Sequence, residues 1–457
     1  MCKLPKSTAA GVGNEAPDGV VKGDSTSPQT RHSNPMKMSS GVAFNPEGRY
    51  WRIGGEWYDF VNFSHPGGNE IIRLCRDRFD DATYAFEAHH MDYKKARAII
   101  GKYRVGEGLQ KVLKEKNQTP APKLLGDESF YSDVRRRTSA YFRKIKKEGH
   151  TNGLGPTRQC ITLFWISVAL WLASIYYCLI VSKTIHSAIL QGIAASILGA
   201  FGHNWIHQPK YKLWAYLSLD TIGFSSDQWY REHILQHHMY TNTPLDNHFK
   251  GTDPFLVTDP TVERNWFQRV VTPILNPLVL IFGIWGNYSF HASEMLRGNE
   301  KLQLGKLIFP SIVYTFYRLE GWWGLALFFV NTATTGIYYF TMALMNHNSE
   351  KTLDVARRNS ADDWGIAQIC SCADWAVQTK FLPSIVYLWL NYHCVHHLFP
   401  LTDFSHHRDI QAILMETCLD HNVEYEAGDF FDIYRQMVNG FGNPRSLWME
   451  INAYNGS

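Results

Sequence analysis

Histidine is the residue type with the greatest chemical potential in this sequence, because many of its 20 histidines stand in tight groups. Three groups lie far apart along the second half of the chain. They are His203 and His207; His233, His237 and His238; and His393, His396 and His397. Residues three or four apart share one face of a helix. The spacing therefore predicts that each group presents its imidazoles in one direction.

Imidazole nitrogens are good ligands for iron, zinc and copper. Eight convergent imidazoles exceed what one metal ion can use, so the sequence predicts two metal ions held by the three groups. Soluble di-iron bundles use Glu and Glu-x-x-His pairs instead, and no such pair occurs in the apolar half of this chain. Asn346 and His347 are further candidate ligands, Asn346 either directly or through water. Cys370-x-Cys372 is a weaker metal motif, and we expect ordinary buried thiols there.

A second kind of site is indicated near the N-terminus. Tyr50 to Ile53 and Trp57 to Phe60 have the pattern of short strands around a Gly54-Gly55 turn, and His65-Pro66-Gly67-Gly68 follows. His89 and His90 come about twenty-five residues later. The proline and paired glycines would hold a tight turn that presents one imidazole, and a later helix would supply the second.

This segment, residues 46–107, resembles the cytochrome b5 haem-binding domain. The resemblance implies one haem b with His65 as an axial ligand. In fused members of that family the second ligand tends to follow four residues after a Phe, here Phe86, which favours His90, with His89 as the alternative. Two axial histidines leave no open iron position, so such a haem transfers electrons and does not activate dioxygen.

Long apolar segments must position the histidine groups. Residues 160–182 contain no charged side chain and would span ~34 Å as a helix, enough for a bilayer core of ~30 Å. Lys183 and Thr184 interrupt the pattern, and residues 185–206 form a second apolar run. The short break predicts an antiparallel hairpin. Basic residues flank both outer ends, which places both ends on the cytosolic side.

Three further apolar stretches follow. Pro273 and Pro277 interrupt residues 270–290, so that stretch is expected to be interfacial or half-inserted. Arg318 and Glu320 separate residues 304–319 from residues 321–346 and would suit a lumenal turn. The pattern predicts about four transmembrane helices, with everything after residue 346 on the cytosolic side.

The composition argues against nucleic-acid binding as the main function and is typical of a membrane protein. A net charge of +3 over 457 residues is too small to make nucleic acid the main partner. Aromatic residues make up 14% of the chain, as in proteins with membrane-interface belts. Residues 1–45 are polar and lack the apolar core of a signal peptide, so we expect a disordered, cytosolic N-terminal tail. The eight scattered cysteines fit a reducing compartment.

From about residue 48 to residue 425 the chain also resembles the membrane fatty acid desaturase family, and in particular front-end desaturases with a fused cytochrome b5. The likeness is strongest at Asp363-Trp364 with Gln368, and from Trp389 through His396 and His397 to Pro400. Insect cytochrome b5-related proteins share this two-part plan. The resemblance implies a multi-domain protein, with a small α+β haem domain and an all-α integral membrane domain that carries a cytosolic His-rich cap.

Five segments follow from these patterns. They are residues 1–45, the tail; 46–107, the haem domain; 108–158, a linker with an amphipathic segment; 159–425, the desaturase-like membrane domain; and 426–457, a C-terminal segment.

Two residues and one spacing depart from the family pattern. Asn204 stands where Asp usually follows the leading His. Three residues separate His233 from the next His pair, where the family usually has two. His393 replaces the usual Gln of front-end desaturases. The wider second spacing is found in alkane hydroxylases of the same membrane superfamily.

The resemblance implies an oxygen-dependent desaturase of fatty acyl lipids or acyl-CoA in the endoplasmic reticulum membrane. The eight grouped histidines, with His347 and Asn346, would hold two non-haem irons. Dioxygen would be the co-substrate and NADH-cytochrome b5 reductase the electron donor, since no Gly-x-Gly-x-x-Gly motif follows a strand. A lipid hydroxylase on the same metal core and a non-catalytic haem electron carrier are the alternatives. Chain length and double-bond position stay open.

Overall fold

The structure is a computed structural model that describes residues 49–149, 153–243, 245–246, 248, 251–259, 262–298 and 302–442. All of these residues belong to one compact unit. The predicted tail, residues 1–45, lies outside the described residues, and the C-terminal segment is described as far as residue 442.

The N-terminal module, residues 49–116, begins with an antiparallel hairpin. Strands β1 (Tyr50–Ile53) and β2 (Glu56–Asp59) pair across a turn in which Gly54 and Gly55 have φ angles of 62° and 76°. Backbone with positive φ favours glycine, so the predicted hairpin is confirmed together with its turn. Four helices follow: α1 (Asn69–Arg78), α2 (Thr83–His89), α3 (Tyr93–Ile100) and α4 (Glu107–Lys116).

Helix α5 (Phe130–Lys147) joins the N-terminal module to the rest of the chain. Tyr131, Val134, Arg135 and Thr138 are each at most 1% exposed, and their spacing makes one continuous buried helical face. The Tyr131 hydroxyl donates a hydrogen bond of 2.6 Å to the Leu398 carbonyl, beyond the third histidine group. This part of the predicted linker is therefore packed between the two parts of the molecule.

Arg135 and Glu87 form an ion pair of 2.7 Å between α5 and α2, with both side chains 1% exposed. Replacing Arg135 with Met leaves the Glu87 carboxylate buried with only Arg97 as an ionic partner. Because a buried charge that loses its partner costs about 3–5 kcal/mol, we expect Arg135→Met to loosen the N-terminal module. Limited proteolysis should then cut between residues 116 and 130 faster than in the wild type. Arg136→Met, on the exposed side of the same helix, is the matched control and should leave the cleavage rate unchanged.

Helices α6 (Arg158–Tyr176) and α7 (Ile185–Trp205) pack against each other, and α6 continues as a π-helix, Tyr177–Ser182. Residues Arg158–Ser182 and Ile185–Trp205 are the two helices of the described chain that are long and apolar enough to cross a bilayer. Lys183 is left-handed with φ 50°, and the Thr184 side chain caps α7. The predicted break at these two residues is confirmed.

The next elements lead toward the second and third histidine groups. Helices α8 (Lys212–Thr221) and α9 (Ser226–Trp229) precede a π-helix, Tyr230–His237, and α10 (His238–Tyr240). The predicted interruption of residues 270–290 is confirmed, because a π-helix (Phe267–Val271), α11 (Thr272–Ile274), α12 (Asn276–Leu280) and α13 (Gly283–Leu296) divide it.

Helix α14 (Ile308–Leu344) contains both remaining apolar stretches and bends sharply at Gly321, where φ is 56° and ψ −140°. Glu320 pairs with Lys183 at 2.5 Å, and the Trp323 indole donates to the Lys183 carbonyl at 3.0 Å. The break at Lys183 and Thr184 and the predicted lumenal turn at Arg318 and Glu320 therefore meet at the same end of the bundle. The number of membrane spans, four, stays a prediction.

Short elements complete the part of the chain that surrounds the site. They are α15 (Val355–Asn359), α16 (Trp364–Cys370), β3 (Asp374–Trp375), α17 (His393–Leu398), α18 (His407–Asp420), β4 (Ala427–Gly428) and α19 (Phe430–Gly442). Strands β3 and β4 pair in parallel. Helix α17 carries the third histidine group.

Candidate metal centre and haem-binding site

The three histidine groups meet in the interior. All eight predicted histidines and His347 are buried. His203 and His207 come from the end of α7 and the residues after it, His233 and His237 from the π-helix, and His238 from α10. The third group, on α17, faces them.

One set of four histidines, which we call site A, consists of His207, His233, His238 and His396. Their ligand atoms all lie within 4.8 Å of one another, and the Nε2 atoms of His233 and His238 are 3.1 Å apart. His203 borders this site, with its ring centroid 4.6 Å from that of His233 and 4.7 Å from that of His396.

A second set, site B, consists of His237, His347, His393 and His397. The Nε2 atom of His347 lies 2.8 Å from that of His393 and 3.2 Å from that of His237. The Nε2 atoms of His393 and His397 are 3.1 Å apart. Four ring nitrogens therefore converge on one point.

This geometry suits metal ions. A first-row metal binds imidazole nitrogen at about 2.0–2.1 Å, so two ligands of one ion are themselves separated by roughly 3 Å. Buried nitrogen atoms that face one another at this distance need a cation or a proton between them, because a buried polar group without a partner is costly. Sites A and B thus fit two metal ions with all-imidazole ligand sets.

The π-helix explains the wide second spacing. In a π-helix the hydrogen bonds run from residue i to i+5, so side chains five residues apart come close. His233 and His238 are five apart and meet in site A, whereas His237 points into site B. The extra residue between His233 and the His pair is absorbed by this helical geometry, and both sites keep their ligands.

The histidine groups converge as predicted, but the second and third groups each divide their members between the two sites. His237 belongs to site B although its neighbours His233 and His238 belong to site A. Similarly, His396 belongs to site A, while His393 and His397, four apart on α17, belong to site B. Adjacent residues on a helix point about 100° apart. His237 and His238 therefore contribute to different sites, and so do His396 and His397.

Site B has a well-defined set of outer hydrogen bonds. His237 donates from Nδ1 to the Asp246 carboxylate at 2.9 Å, and His347 donates from Nδ1 to the Ser371 carbonyl at 2.9 Å. His397 donates from Nδ1 to the Gln368 side-chain oxygen at 3.1 Å. Such contacts fix the ring orientation and leave Nε2 for the metal.

Site A has fewer such contacts, although in site B Nδ1 of His393 also has no hydrogen-bond partner among the described residues. Among the described residues, neither ring nitrogen of His207 has a hydrogen-bond partner, and the same holds for Nδ1 of His233 and of His238. The two sites therefore differ in how firmly the protein orients their ligands.

Asp246 is a functional residue that the sequence did not single out. Burial opposes ionisation of its carboxyl, but the adjacent His237 and the Asn242 backbone N–H lower its pKa to about 2. The carboxylate is thus ionised at neutral pH. Its position nine residues after His237 is the only sequence signal that could have indicated this role.

Replacing Asp246 with Asn should weaken metal binding at site B about 10–100-fold, the usual effect of removing an outer-sphere partner of a histidine ligand. Non-haem iron per protein, measured after dialysis against a graded series of chelator concentrations, tests this. Asp432→Asn, on helix α19, is the control. Equal iron retention in all three proteins would show that the Asp246 carboxylate does not support the site.

The Asn346 side chain has hydrogen bonds to groups outside the two sites. Its oxygen accepts a hydrogen bond of 2.7 Å from the Trp375 indole, and its nitrogen donates to the Met342 carbonyl at 3.1 Å. A second lone pair and a second N–H are left on the amide, so its part as a ligand, directly or through water, stays a prediction. Among the described residues the metal-type clusters contain no cysteine, and the described cysteines are buried free thiols, Cys370 and Cys372 included. The prediction of ordinary buried thiols is confirmed.

His248 was missed by the sequence patterns because it stands alone in the chain. Its ring lies 4.7 Å from those of Trp229 and His237, and its ligand atom is within 4.8 Å of those of His233 and His237. His248 therefore borders both sites from the side of the adjoining cavity.

A cavity of about 1080 Å³ opens beside the histidines. His203, His233, His237, His347 and His393 line one part of its wall. Most of the remaining wall is apolar and includes Leu275, Leu278, Phe282, Phe290, Tyr339 and Phe340. Leu278 and Phe282 are also more than half exposed on the outer surface. The cavity thus connects the metal-type sites with an apolar exterior.

The candidate haem ligands lie in the N-terminal module. The rings of His65 and His90 are 5.9 Å apart at an interplanar angle of 86°. His65 accepts a hydrogen bond at Nδ1 from the Gly67 N–H, and His90 donates from Nδ1 to the Phe86 carbonyl. Both Nδ1 atoms are therefore engaged, which leaves the Nε2 atoms available to an iron between the rings.

Gly67 permits this arrangement, because a Cβ atom there would lie 2.9 Å from the His65 ring. His89 instead donates from Nδ1 to the Ala85 carbonyl at 2.9 Å, and no ring contact joins it to His65 among the described residues. The geometry favours His90 over His89 as the partner of His65.

We compared the chain with a protein-family model and with individual known proteins, and both point to fatty acid desaturases. Residues 182–428 match the family model described as fatty acid desaturase, and this range includes all eight grouped histidines.

Three relatives align with most of the chain. The probable Delta(5) fatty acid desaturase C of Dictyostelium discoideum is 24% identical over 82% of this chain and 86% of that protein. The acyl-lipid (8-3)-desaturase of Mortierella alpina is 27% identical over 85% of this chain and 92% of that protein. The cytochrome b5-related protein of Drosophila melanogaster is 24% identical over 87% of this chain and 89% of that protein.

Proposed function

Because the chain belongs to the fatty acid desaturase family, we propose that it is a membrane-bound desaturase that uses dioxygen to introduce a double bond into a fatty acyl chain. The observation that carries this proposal is the meeting of two four-histidine sites with one apolar cavity. An unactivated methylene offers no acidic proton or leaving group, so a redox metal centre is the chemistry that side chains alone lack.

Two non-haem irons, bound at sites A and B, would supply the oxidising power needed to remove hydrogen from a methylene pair. The protein itself orients the histidine rings and excludes water from the cavity. Asp246, Ser371 and Gln368 hold the rings of site B in position. The apolar wall of the cavity binds the acyl chain, and a dry site protects a strongly oxidising reaction from side reactions.

The N-terminal module would bind one haem b through His65 and His90 and supply electrons one at a time. Support comes from the paired rings and from the relative in Drosophila melanogaster that is described as cytochrome b5-related. A separate NADH-cytochrome b5 reductase would reduce the haem. Fusion of the donor to the acceptor raises the local donor concentration, so electron delivery needs no second diffusional encounter.

We place the protein in the endoplasmic reticulum membrane with its histidine sites and haem module on the cytosolic side. The exposed apolar surface of α6 supports a bilayer location, and so does the ion pair that joins the break at Lys183 to the predicted lumenal turn at Glu320. The substrate would be a fatty acyl lipid or an acyl-CoA.

Lipid hydroxylation is the second candidate, because the same oxidant can insert an oxygen atom where it would otherwise remove a second hydrogen. The observation that favours it is the wide second histidine spacing on the π-helix. A non-catalytic electron carrier is less well supported, since a carrier has no use for nine buried histidines beside a cavity.

Expression in yeast, followed by mass spectrometry of total acyl chains and sphingolipids, tests the proposal. We expect acyl chains lighter by two hydrogens in cells with the wild type and not in cells with His397→Ala. Chains heavier by one oxygen would instead support the hydroxylase. Neither product across several acyl lengths, together with haem as the only bound iron, would support the electron carrier.

A further inference from the structure

We propose that Gly286 determines the length of the acyl chain that the cavity accepts. This inference rests on the proposed function, because it takes the cavity as the binding site of the acyl chain. It adds a property that the proposed function leaves open. It also concerns a part of the cavity wall that carries no ligand of site A or site B.

One face of α13 forms this part of the wall. Five residues of α13 and the residue before it line the cavity, and their spacing places them on a single side of the helix. At 1.5 Å per residue this face is about 14 Å long, so it can contact many methylenes of a bound chain. The residues are Phe282, Gly283, Gly286, Asn287, Phe290 and His291.

Gly286 lacks a side chain although nothing in the protein requires a glycine there. Its backbone is not in the left-handed region. A Cβ atom added at Gly286 would have no atom of the surrounding described residues within 4 Å. Glycine inside a helix is destabilising relative to alanine. Since neither the backbone nor the packing accounts for the glycine, we infer that the space beside it is kept for a ligand.

The preceding glycine of the same face has a different explanation. A Cβ atom at Gly283 would lie 2.6 Å from two carbon atoms of the Phe340 ring, so Gly283 allows α13 to pack closely against α14. A Cβ atom at Gly336 would likewise overlap the Leu280 carbonyl. These two glycines serve helix packing, whereas Gly286, one turn after Gly283, does not.

The side chains on either side of Gly286 suit a hydrocarbon ligand. Phe282 and Phe290 lie four residues before and four residues after it, so both are its neighbours on the helix surface. Their side chains are 60% and 53% exposed. Gly286 is therefore a gap between two aromatic side chains, and both of them also line the cavity.

The location of this face makes it sensitive to chain length. Gly283 fixes α13 against Phe340, which precedes the site B ligand His347 by seven residues, about 10 Å at the helical rise per residue. An acyl chain whose reacting carbons face the histidines reaches α13 with its remaining carbons. A longer chain has more of these, so a side chain at position 286 should exclude long chains before short ones.

Binding of tritiated laurate and oleate to the purified full-length protein, measured by scintillation proximity, tests the assignment without turnover. The two probes present a short and a long acyl chain with the same carboxylate. In Gly286→Leu the added side chain occupies space that methylenes of oleate would use. Each buried methylene contributes about a factor of four in affinity, so displacing a few of them should weaken oleate binding by about ten-fold or more. Laurate binding should change by less than about two-fold.

Gly286→Ala and Gly108→Leu are the controls. Alanine adds only a methyl group, so both affinities should stay close to those of the wild type, and the melting temperature should not fall, because alanine favours a helix. Gly108 of α4 is also an exposed helical glycine whose added Cβ would have no described atom within 4 Å, but it lies outside the cavity wall. Gly108→Leu should leave both affinities unchanged.

Unchanged oleate binding in Gly286→Leu would overturn the proposal and show that Gly286 faces the lipid and not the ligand. Equal loss of laurate and oleate binding would also overturn it, because every chain would then pass Gly286 whatever its length. A lower melting temperature of Gly286→Leu would show that packing requires the glycine. If the wild type itself binds neither fatty acid, the cavity is not an acyl-chain site and the proposed function fails. The wild-type affinities therefore distinguish the two failures.

Discussion

Replacing His237 with alanine should abolish product formation and remove metal from site B while leaving the haem spectrum intact. The Nε2 atom of His237 lies 3.2 Å from that of His347, and its Nδ1 is fixed by Asp246. Loss of a ligand exceeds the 10–100-fold effect of losing an outer-sphere partner, so we expect activity to fall by more than about 100-fold. Metal analysis and the haem absorbance of the same sample provide the measurement.

His186→Ala is the matched control for this substitution, since it removes an exposed histidine from α7 without touching either site. A His237→Ala protein that kept two non-haem irons would exclude His237 as a ligand. A protein that lost haem in the same proportion as non-haem iron would contradict the division into two separate cofactor modules.

The second large effect is expected from His65→Ala. Its ring faces His90 across the 5.9 Å gap, so alanine removes one of the two proposed axial ligands. We expect the six-coordinate haem spectrum to disappear and product formation to stop for lack of electrons. Non-haem iron should stay at the wild-type level, because no residue of sites A and B is changed.

Purified His65→Ala protein, analysed for haem by pyridine haemochrome and for total iron, decides this outcome. An active His65→Ala enzyme would mean that electrons reach the metal centre without the N-terminal module. Loss of non-haem iron would mean that the module is needed to build sites A and B, which the buried Arg135–Glu87 contact makes the main competing explanation.

Local sequence chemistry predicted those parts of the structure that depend on neighbouring residues. The Gly54-Gly55 turn has positive φ angles that glycine adopts readily, and the break at Lys183 and Thr184 is a left-handed residue followed by a helix cap. Each signal lies within a few residues of its effect. The convergence of the histidine groups also followed, because the apolar runs place their ends on the same side.

The division of ligands between the two sites could not be predicted in the same way. The division depends on the π-helix, whose geometry directs His233 to site A and His237 to site B. It also depends on the rotation of α17 relative to that π-helix. Asp246 and His248 acquire their positions through the fold of a loop. The residue spacing in α5 indicates that one face is buried. The pairing of Arg135 on that face with Glu87, 48 residues earlier, depends on the tertiary fold.

The unequal support of sites A and B has a consequence for how the centre assembles. An ion entering the empty protein finds rings at site B already aimed by a carboxylate, a carbonyl and an amide, whereas site A must arrange its rings around the incoming ion. If the two sites bind iron as proposed, we therefore expect site B to fill first and site A last. Under iron scarcity the molecules that accumulate would carry a single ion, and the pool of half-filled protein would set how quickly activity returns when iron is restored.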